Sequence, residues 1–226
     1  MIIDFHSHIL PACDHGSSGL STSQKQIELS KNAGVDILCA TSHFYPDREN
    51  VSEFLARRDR CFAELIECRG GEEANKSPKI LLGAEVLACA GLEKLPNIEA
   101  LCLEGTNILL VEMPFARWHR ELFETIEAMA YRKDVRTVLA HADRYEPCDV
   151  EAVLDLEIPV QLNVESLSGL FVKKHLKDWI DRGVVVALGS DMHGTDVGYR
   201  KWEKAKSRLK SDFDDIMEKT NKLIFG

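Results

Sequence analysis

The first side chains able to do chemistry are His6 and His8, which close the run Ile2-Ile3-Asp4-Phe5 with one serine between them. In a strand alternate side chains leave the same face, so both imidazoles converge on one point, as they must to hold a metal ion. An H-x-H pair alone arises often by chance. Its weight comes from the other ligand-type residues, each ending a short apolar run: His43 after Thr41-Ser42, Glu85 after Gly83-Ala84, Glu112 after Val111, His141 after Ala140, and Asp191 and His193 after Ser190. With His15, in the loop after the first run, six of the eight histidines share one pattern. His119 and His175 lie in helical contexts and read as surface or core residues. Glu85 and Glu112 are alternatively carboxylates paired with lysine or arginine, but burying them at the ends of apolar runs is costly, and metal ions supply the compensation. Nine candidate ligands exceed the three or four of one catalytic zinc, so two or three ions with a bridging carboxylate are expected.

Ligands spread along a whole chain need a scaffold that gathers strand ends. Apolar runs predict strands over residues 2–6, 35–41, 79–86, 107–113, 136–141, 159–164 and 184–190. Between and after them, helical spacing predicts helices over 21–32, 51–69, 118–131, 150–156, 173–182, 199–210 and 213–223, the first capped by Ser21 or Thr22 and ended by Gly34. Residues 69–77 read as a polar surface loop. Seven β-then-α units with nearly all-apolar strands point to an α/β fold of parallel strands wrapped by helices, in one domain spanning residues 1–226. Every candidate ligand then falls at a strand's C-terminal end, where α/β barrels collect catalytic groups.

Composition removes several function classes. A net charge of −9 argues against a nucleic-acid backbone as partner. No apolar run reaches the length of a membrane span, and the N-terminus lacks the basic leader and apolar core of a signal peptide, so a cytoplasmic location is expected. Seven cysteines with no C-x-x-C pair suit free thiols in a reducing compartment. No cysteine precedes an arginine at the spacing of a phosphocysteine loop, and neither GxxxxGK nor GxGxxG occurs. Cys13, Cys39 and Cys89 read as small buried thiols, and Arg57-Arg58-Asp59-Arg60 as a solvated helix face.

The segments HSHILPACDHG, TSHFYP, LLGAEV, LLVEMPF, LAHADRY, NVESLSGLF and GSDMHG together resemble the polymerase and histidinol phosphatase (PHP) family of metal-dependent phosphoesterases, and within it the CpsB/YwqE-type bacterial protein-tyrosine phosphatases of capsule and exopolysaccharide operons. The resemblance runs over nearly the whole chain. It implies a distorted (β/α)7 barrel and three divalent ions, Mn²⁺ first, with Fe or Zn as alternatives. It places one ion on His6, His8, Glu85 and Asp191, a second on Glu85, Glu112 and His141, and a third on His15, His43 and His193, with Glu85 as bridge. The implied substrate is a phosphotyrosine protein, the tyrosine-rich tail of a capsule or exopolysaccharide kinase. Arg144, after His141, matches the family's phosphate-binding arginine; Arg200 stands about two residues beyond the position of a second. His193 and Asp191 are placed to assist proton transfer. One departure stands out: the tyrosine-phosphatase branch reads D-D-G where this chain reads Asp14-His15-Gly16, as the histidinol-phosphatase branch does, leaving the third position one charge more positive and favouring softer metals.

Other readings stay open. A small-molecule phosphatase such as a histidinol phosphatase is the nearest. TatD-like and amidohydrolase enzymes also begin with H-x-H, but do not account for His15, His43 and His193 together. A metal-stabilised protein that only binds the kinase would have lost a ligand, and none is lost. The sequence does not speak to oligomeric state.

Overall fold

The computed structural model describes residues 1–69, 77–195 and 199–226. In chain order the elements are β1 (Ile3–Ser7), α1 (Leu20–Asn32), β2 (Ile37–Ala40), β3 (His43–Phe44), α2 (Val51–Cys68), β4 (Lys79–Leu82), β5 (Glu85–Leu87), β6 (Ile108–Glu112), α3 (Arg120–Ala130), β7 (Arg136–Leu139), α4 (Pro147–Leu154), β8 (Val160–Asn163), α5 (Val164–Leu167), α6 (Lys174–Asp181), β9 (Val185–Gly189), α7 (Arg200–Leu209) and α8 (Ser211–Phe225). The expected polar loop at 69–77 lies mostly outside the described residues.

Every strand pairing is parallel, as the β-then-α alternation predicts. The strands form two sheets, β1-β2-β4 and β3-β5-β6-β7-β8-β9, rather than one seven-membered ring. The division has a local cause. The predicted strand 79–86 is interrupted at Gly83-Ala84 without changing partner: Ala40 stands opposite Leu82 and His43 opposite Glu85 in the same register, and the Gly83 N–H donates to the Ala40 carbonyl at 3.0 Å and the Glu85 N–H to the Ser42 carbonyl at 3.1 Å across the break. His43-Phe44 likewise separates from β2 after Thr41-Ser42, giving nine strands among the described residues where seven are predicted.

The sheets also meet where β1 lies beside β9. Among the described residues no backbone ladder joins these two strands. Instead the Asp4 side chain accepts the Ser190 N–H at 2.8 Å, and the His6 carbonyl accepts the Asp191 N–H at 2.8 Å. Asp4 is fully buried, and burial pushes its carboxyl up to about 6. The approach is close enough to require glycine at the end of β9: a Cβ on Gly189 would lie 2.5 Å from His6 Cβ and 2.8 Å from Gln161 Nε2.

The apolar runs carry two cores. Ile37 and Cys39 of β2, with Ile108 and Leu110 of β6, pack in one cluster, while Leu38, Ala40, Leu109 and Val111 pack in the other with the helices. Alternation along strands buried on both faces explains why they read as unbroken apolar runs.

Helix ends account for the remaining differences. α1 begins at Leu20 with Gly19 before it and no side-chain cap, so the expected Ser21 or Thr22 cap is not used; Gly34, in the left-handed region at φ 79°, follows its end as expected. α2 carries a full capping box, Asn50 accepting the Glu53 N–H while Glu53 accepts the Asn50 N–H. α4 starts earlier than predicted because Pro147 suits a first helical turn. Among the described residues no helix is long and apolar enough to cross a membrane.

Candidate metal centre

Of the nine predicted ligands six lie at or just beyond strand C-terminal ends, His43 and Glu85 open the short strands β3 and β5 that continue β2 and β4, His15 stands in the loop after β1, and their side chains meet. His6 Nε2 and His8 Nε2 are 3.1 Å apart, and each is 3.2 Å from Glu85 Oε2. Asp191 Oδ1 lies 3.6 Å from the first and 3.4 Å from the second. His43 Nδ1 is 3.0 Å from Glu85 Oε2 and 3.4 Å from Glu112 Oε1, and His141 Nε2 is 2.8 Å from Glu85 Oε1. Glu85 therefore touches four histidines, as a bridging carboxylate would. His15 stands at the rim, its ring stacked 4.5 Å from that of His43 and 4.6 Å from that of His193.

Among the described residues three sets have ligand atoms within 4.8 Å of one another: His6, His8 and Asp191; His43, Glu85 and Glu112; and His8, His43 and His193. The first falls inside the ligand set implied by resemblance. The second has His43 where His141 is expected, and the third has His8 where His15 is expected.

The local backbone is shaped for this convergence. His141 and Asp191 both adopt left-handed conformations, φ 32° and 48°, which turn the chain immediately after β7 and β9. Such strain in non-glycine residues persists only where surrounding contacts hold it. Gly16 permits the first loop to fold back on β1, since a Cβ there would lie 2.1 Å from His8 Cβ.

The donor set fits divalent metal ions. His43 Nδ1 and Nε2, Glu85 Oε2 and His193 Nε2 are buried without a hydrogen bond of acceptable geometry, although opposite partners stand near them. Buried polar atoms left this way are unusual and call for a ligand. Electrostatics agree. Burial lowers the basicity of His43 and His141, but the neighbouring Glu112 and Glu85 carboxylates outweigh it and push both up to about 9. Burial opposes ionisation of Glu85, yet His6, His141 and His43 hold its carboxyl well below the usual range. The carboxylates thus demand cations among the imidazoles, a demand that protons or metals can meet. His193 behaves oppositely: burial and the charge of His8 push it down to about 4, keeping it neutral.

Four further residues support the cluster. Asp14 Oδ2 lies 2.9 Å from His8 Nδ1 and accepts the His43 N–H at 3.0 Å. Gln161 Oε1 lies 3.2 Å from His6 Nδ1 and accepts the His141 N–H at 2.7 Å. Gln161 donates to Asn163 at 2.9 Å, and Asn163 donates to Asp191 Oδ2 at 3.0 Å. Their signal was present: Gln161 and Asn163 alternate with Val160 and Leu162, placing two polar groups on one face of β8. Arg57 corrects the reading of its helix face as solvated. It is half-buried and donates to the Cys13 and His43 carbonyls, tying α2 to the first loop and to β3. Cys13 and Cys39 are buried free thiols, as expected, while Cys89 is half-buried.

Above the cluster opens a cavity of about 260 Å³. Ligand side chains form its floor, Tyr45, Leu87, Pro114 and Phe115 an apolar wall, and Arg144 part of its edge. Arg144 Nη2 is 2.6 Å from Asp191 Oδ2, with its side chain 40% exposed. Arg200 does not join them. It opens α7 on the solvent side, because Tyr199 and Trp202 take the buried face, and it does not line the cavity.

The family described as capsular polysaccharide synthesis, CpsB/CapC, matches residues 2–224. The tyrosine-protein phosphatase CpsB of Streptococcus pneumoniae is 26% identical over 215 residues, covering 86% of this chain and 84% of that protein. The tyrosine-protein phosphatase YwqE of Bacillus subtilis is 25% identical, covering 94% and 85%. Among solved structures, a chain from the YwqE and CpsB crystal structures, described as metal-dependent tyrosine phosphatases, superposes with a TM-score of 0.79 at 20% identity, over 99% of this chain and 94% of that one. A Listeria monocytogenes protein proposed as a histidinol phosphatase superposes at 0.54 and 12% identity, over 91% and 98%. With a match from the second residue almost to the last, the chain belongs to the CpsB/CapC family.

Proposed function

We propose that this protein is a metal-dependent protein-tyrosine phosphatase of capsule or exopolysaccharide synthesis, acting on the tyrosine-phosphorylated tail of a kinase of that system. The observation that carries the reading is the convergence of six histidines and three carboxylates, with buried ring nitrogens and a carboxylate oxygen left without hydrogen bonds, beneath a cavity edged by arginine. Three divalent ions, Mn²⁺ first and Fe or Zn as alternatives, would be held by His6, His8, Glu85 and Asp191, by Glu85, Glu112 and His141, and by His15, His43 and His193. When bound, they supply polarisation of the phosphoryl group and an activated water. The two sheets, with β1 beside β9, read as the distorted (β/α)7 barrel of the PHP fold.

The chain's own residues do the rest. Arg144, at the cavity edge, offers a planar fork to non-bridging phosphate oxygens as charge develops on them. Gln161 and Asn163 fix His6 and Asp191, so that the floor keeps its geometry while substrate enters. Neutral His193 and the Asp191 carboxylate are placed to take and return a proton. Tyrosine is a good leaving group, its hydroxyl having a pKa of about 10, and needs less help from an acid than an alkyl alcohol does.

His15, where the tyrosine-phosphatase branch carries aspartate, favours one other reading: a phosphatase of small molecules such as histidinol phosphate. The deciding experiment compares a phosphotyrosine peptide with histidinol phosphate, in Mn²⁺, for the wild-type protein and His141→Ala. Hydrolysis of the peptide, abolished in the variant, is expected; preference for histidinol phosphate would move the assignment to the second reading, and full activity of His141→Ala would refute the site.

A further inference from the structure

A second concave surface lies apart from the ligand cavity and shares no lining residue with it. It is a groove of about 1020 Å³ with one wall formed by residues 168–172, the other by the C-terminal half of α7, and Lys177 of α6 adjoining. Each wall continues an element that begins near the ligands: residues 168–172 follow α5, which follows Asn163, and α7 follows the segment bearing Asp191 and His193. Two features set the groove apart. Its charged lining is Lys177, Lys204, Arg208 and Lys210 against the single acid Glu203, in a chain whose net charge is −9. Among the described residues these three lysines make no ion pair, and Arg208 donates to the Leu170 carbonyl at 2.8 Å, bracing the loop to the helix. The loop also carries the most exposed large apolar side chains of the described residues, Leu170 at 79% and Phe171 at 90%. Uncompensated cations beside exposed apolar side chains are expensive to leave as bare surface and mark an interaction site.

We propose that this groove docks an acidic stretch of the phosphoprotein substrate, a polypeptide segment rich in Asp and Glu with an apolar residue seated against Leu170 and Phe171. Charge selects the occupant, since four cations face a single acid here on a chain that is acidic in sum. Shape selects a polypeptide: the α7 wall from Glu203 to Lys210 spans about 10 Å, the reach of about three extended residues. Docking on the same molecule raises the effective concentration of a phosphotyrosine carried on the docked chain wherever the intervening segment spans from groove to cavity. The inference deepens the phosphatase reading, resting on it only for the identity of the docked chain.

The test measures binding apart from catalysis. A fluorescent, unphosphorylated peptide of Glu and Asp with a central Phe is titrated by anisotropy into the wild-type protein and the Lys177→Glu/Lys204→Glu variant. The variant should bind about tenfold more weakly, wild-type binding should fall with salt, and KM for the phosphorylated acidic peptide should rise while turnover of a small aryl phosphate is unchanged. Phe171→Ser, at an exposed loop tip, repeats the test without altering a helix. Equal binding by wild type and both variants overturns the proposal. So does sedimentation of the wild type with phosphatidylglycerol vesicles that both variants lose while peptide binding persists, which assigns the patch to a membrane. A change in oligomeric state alone, seen by light scattering, overturns it in favour of a second copy of this chain. Absence of phosphatase activity in the wild type would sink the enzymatic reading yet leave the anisotropy comparison decisive for the groove.

Discussion

One oxygen of Asp14 serves two candidate ligands: Oδ2 sits 2.9 Å from His8 Nδ1 and accepts the His43 backbone N–H at 3.0 Å. A carboxylate behind a histidine fixes the tautomer, so that the other ring nitrogen presents its lone pair. The Asp14 carboxyl is opposed by burial but held well below its ordinary range by His8. Asp14→Ala removes the orienting group from one histidine and the anchor from the strand bearing another. Metal affinity should fall about 10- to 100-fold with far-ultraviolet circular dichroism unchanged, as titration against a competing chelator would record.

The pH dependence of the metal-stripped protein follows from His43 and His141, both pushed up to about 9, against burial, by Glu112 and Glu85. Their folded pKa values exceed the unfolded value of about 6.5, so the stability they contribute is fully present below about 6.5 and is lost as pH rises towards 9. Metal binding has the opposite sign, because ligands must shed those protons first. Thermal unfolding with EDTA should show Tm falling across this window, while the stabilisation gained on adding Mn²⁺ grows. A stripped protein that gains stability from pH 6.5 to 9 would contradict the assignment.

Gly189→Ala probes the seam between β1 and β9. The added Cβ would meet His6 Cβ at 2.5 Å and Gln161 Nε2 at 2.8 Å, the first fixed to the backbone of β1 and the second held by its bond to Asn163. A destabilisation of about 1–3 kcal/mol is expected from the overpacking, measured by urea unfolding, together with a loss of bound metal.

Arg144→Lys separates phosphate clamping from charge. Lysine keeps the cation near Asp191 but lacks the planar fork. With phosphotyrosine peptide, kcat/KM should fall about 100-fold while metal content stays at the wild-type level, the joint readout being steady-state kinetics and elemental analysis. A parallel loss of metal would reassign Arg144 from substrate to the support of Asp191.

The parallel strands, the helices between them and the ring of strand-end ligands were legible because periodicity and residue type are local signals. His6, His43, Glu85 and Asp191 each announce themselves at the end of an apolar run. The split into two sheets is not legible, because it is a short interruption at Thr41-Ser42 and Gly83-Ala84 in strands whose apolar runs continue and whose register does not change. Arg57 was misread for a related reason: its neighbours in Arg57-Arg58-Asp59-Arg60 are charged, and only tertiary packing shows that one guanidinium turns inward to two backbone carbonyls. The exchange of His141 for His43, and of His15 for His8, in the compact ligand sets again turns on distances that strand order alone does not determine.

The seam closed by Asp4 and Ser190 joins residues 186 positions apart. Its two edges carry His6 and His8 on one side, Asp191 and His193 on the other, so the mouth is incomplete until almost the whole chain has left the ribosome. A nascent chain holds the first two histidines without Asp191 and His193 until its synthesis is nearly over. Completion of the ligand cluster is therefore an event of the nearly finished polypeptide, and a chain ending before Asp191 would lack two of the nine candidate ligands and the buried side chains of α7 and of α8, which packs behind β1 and β9.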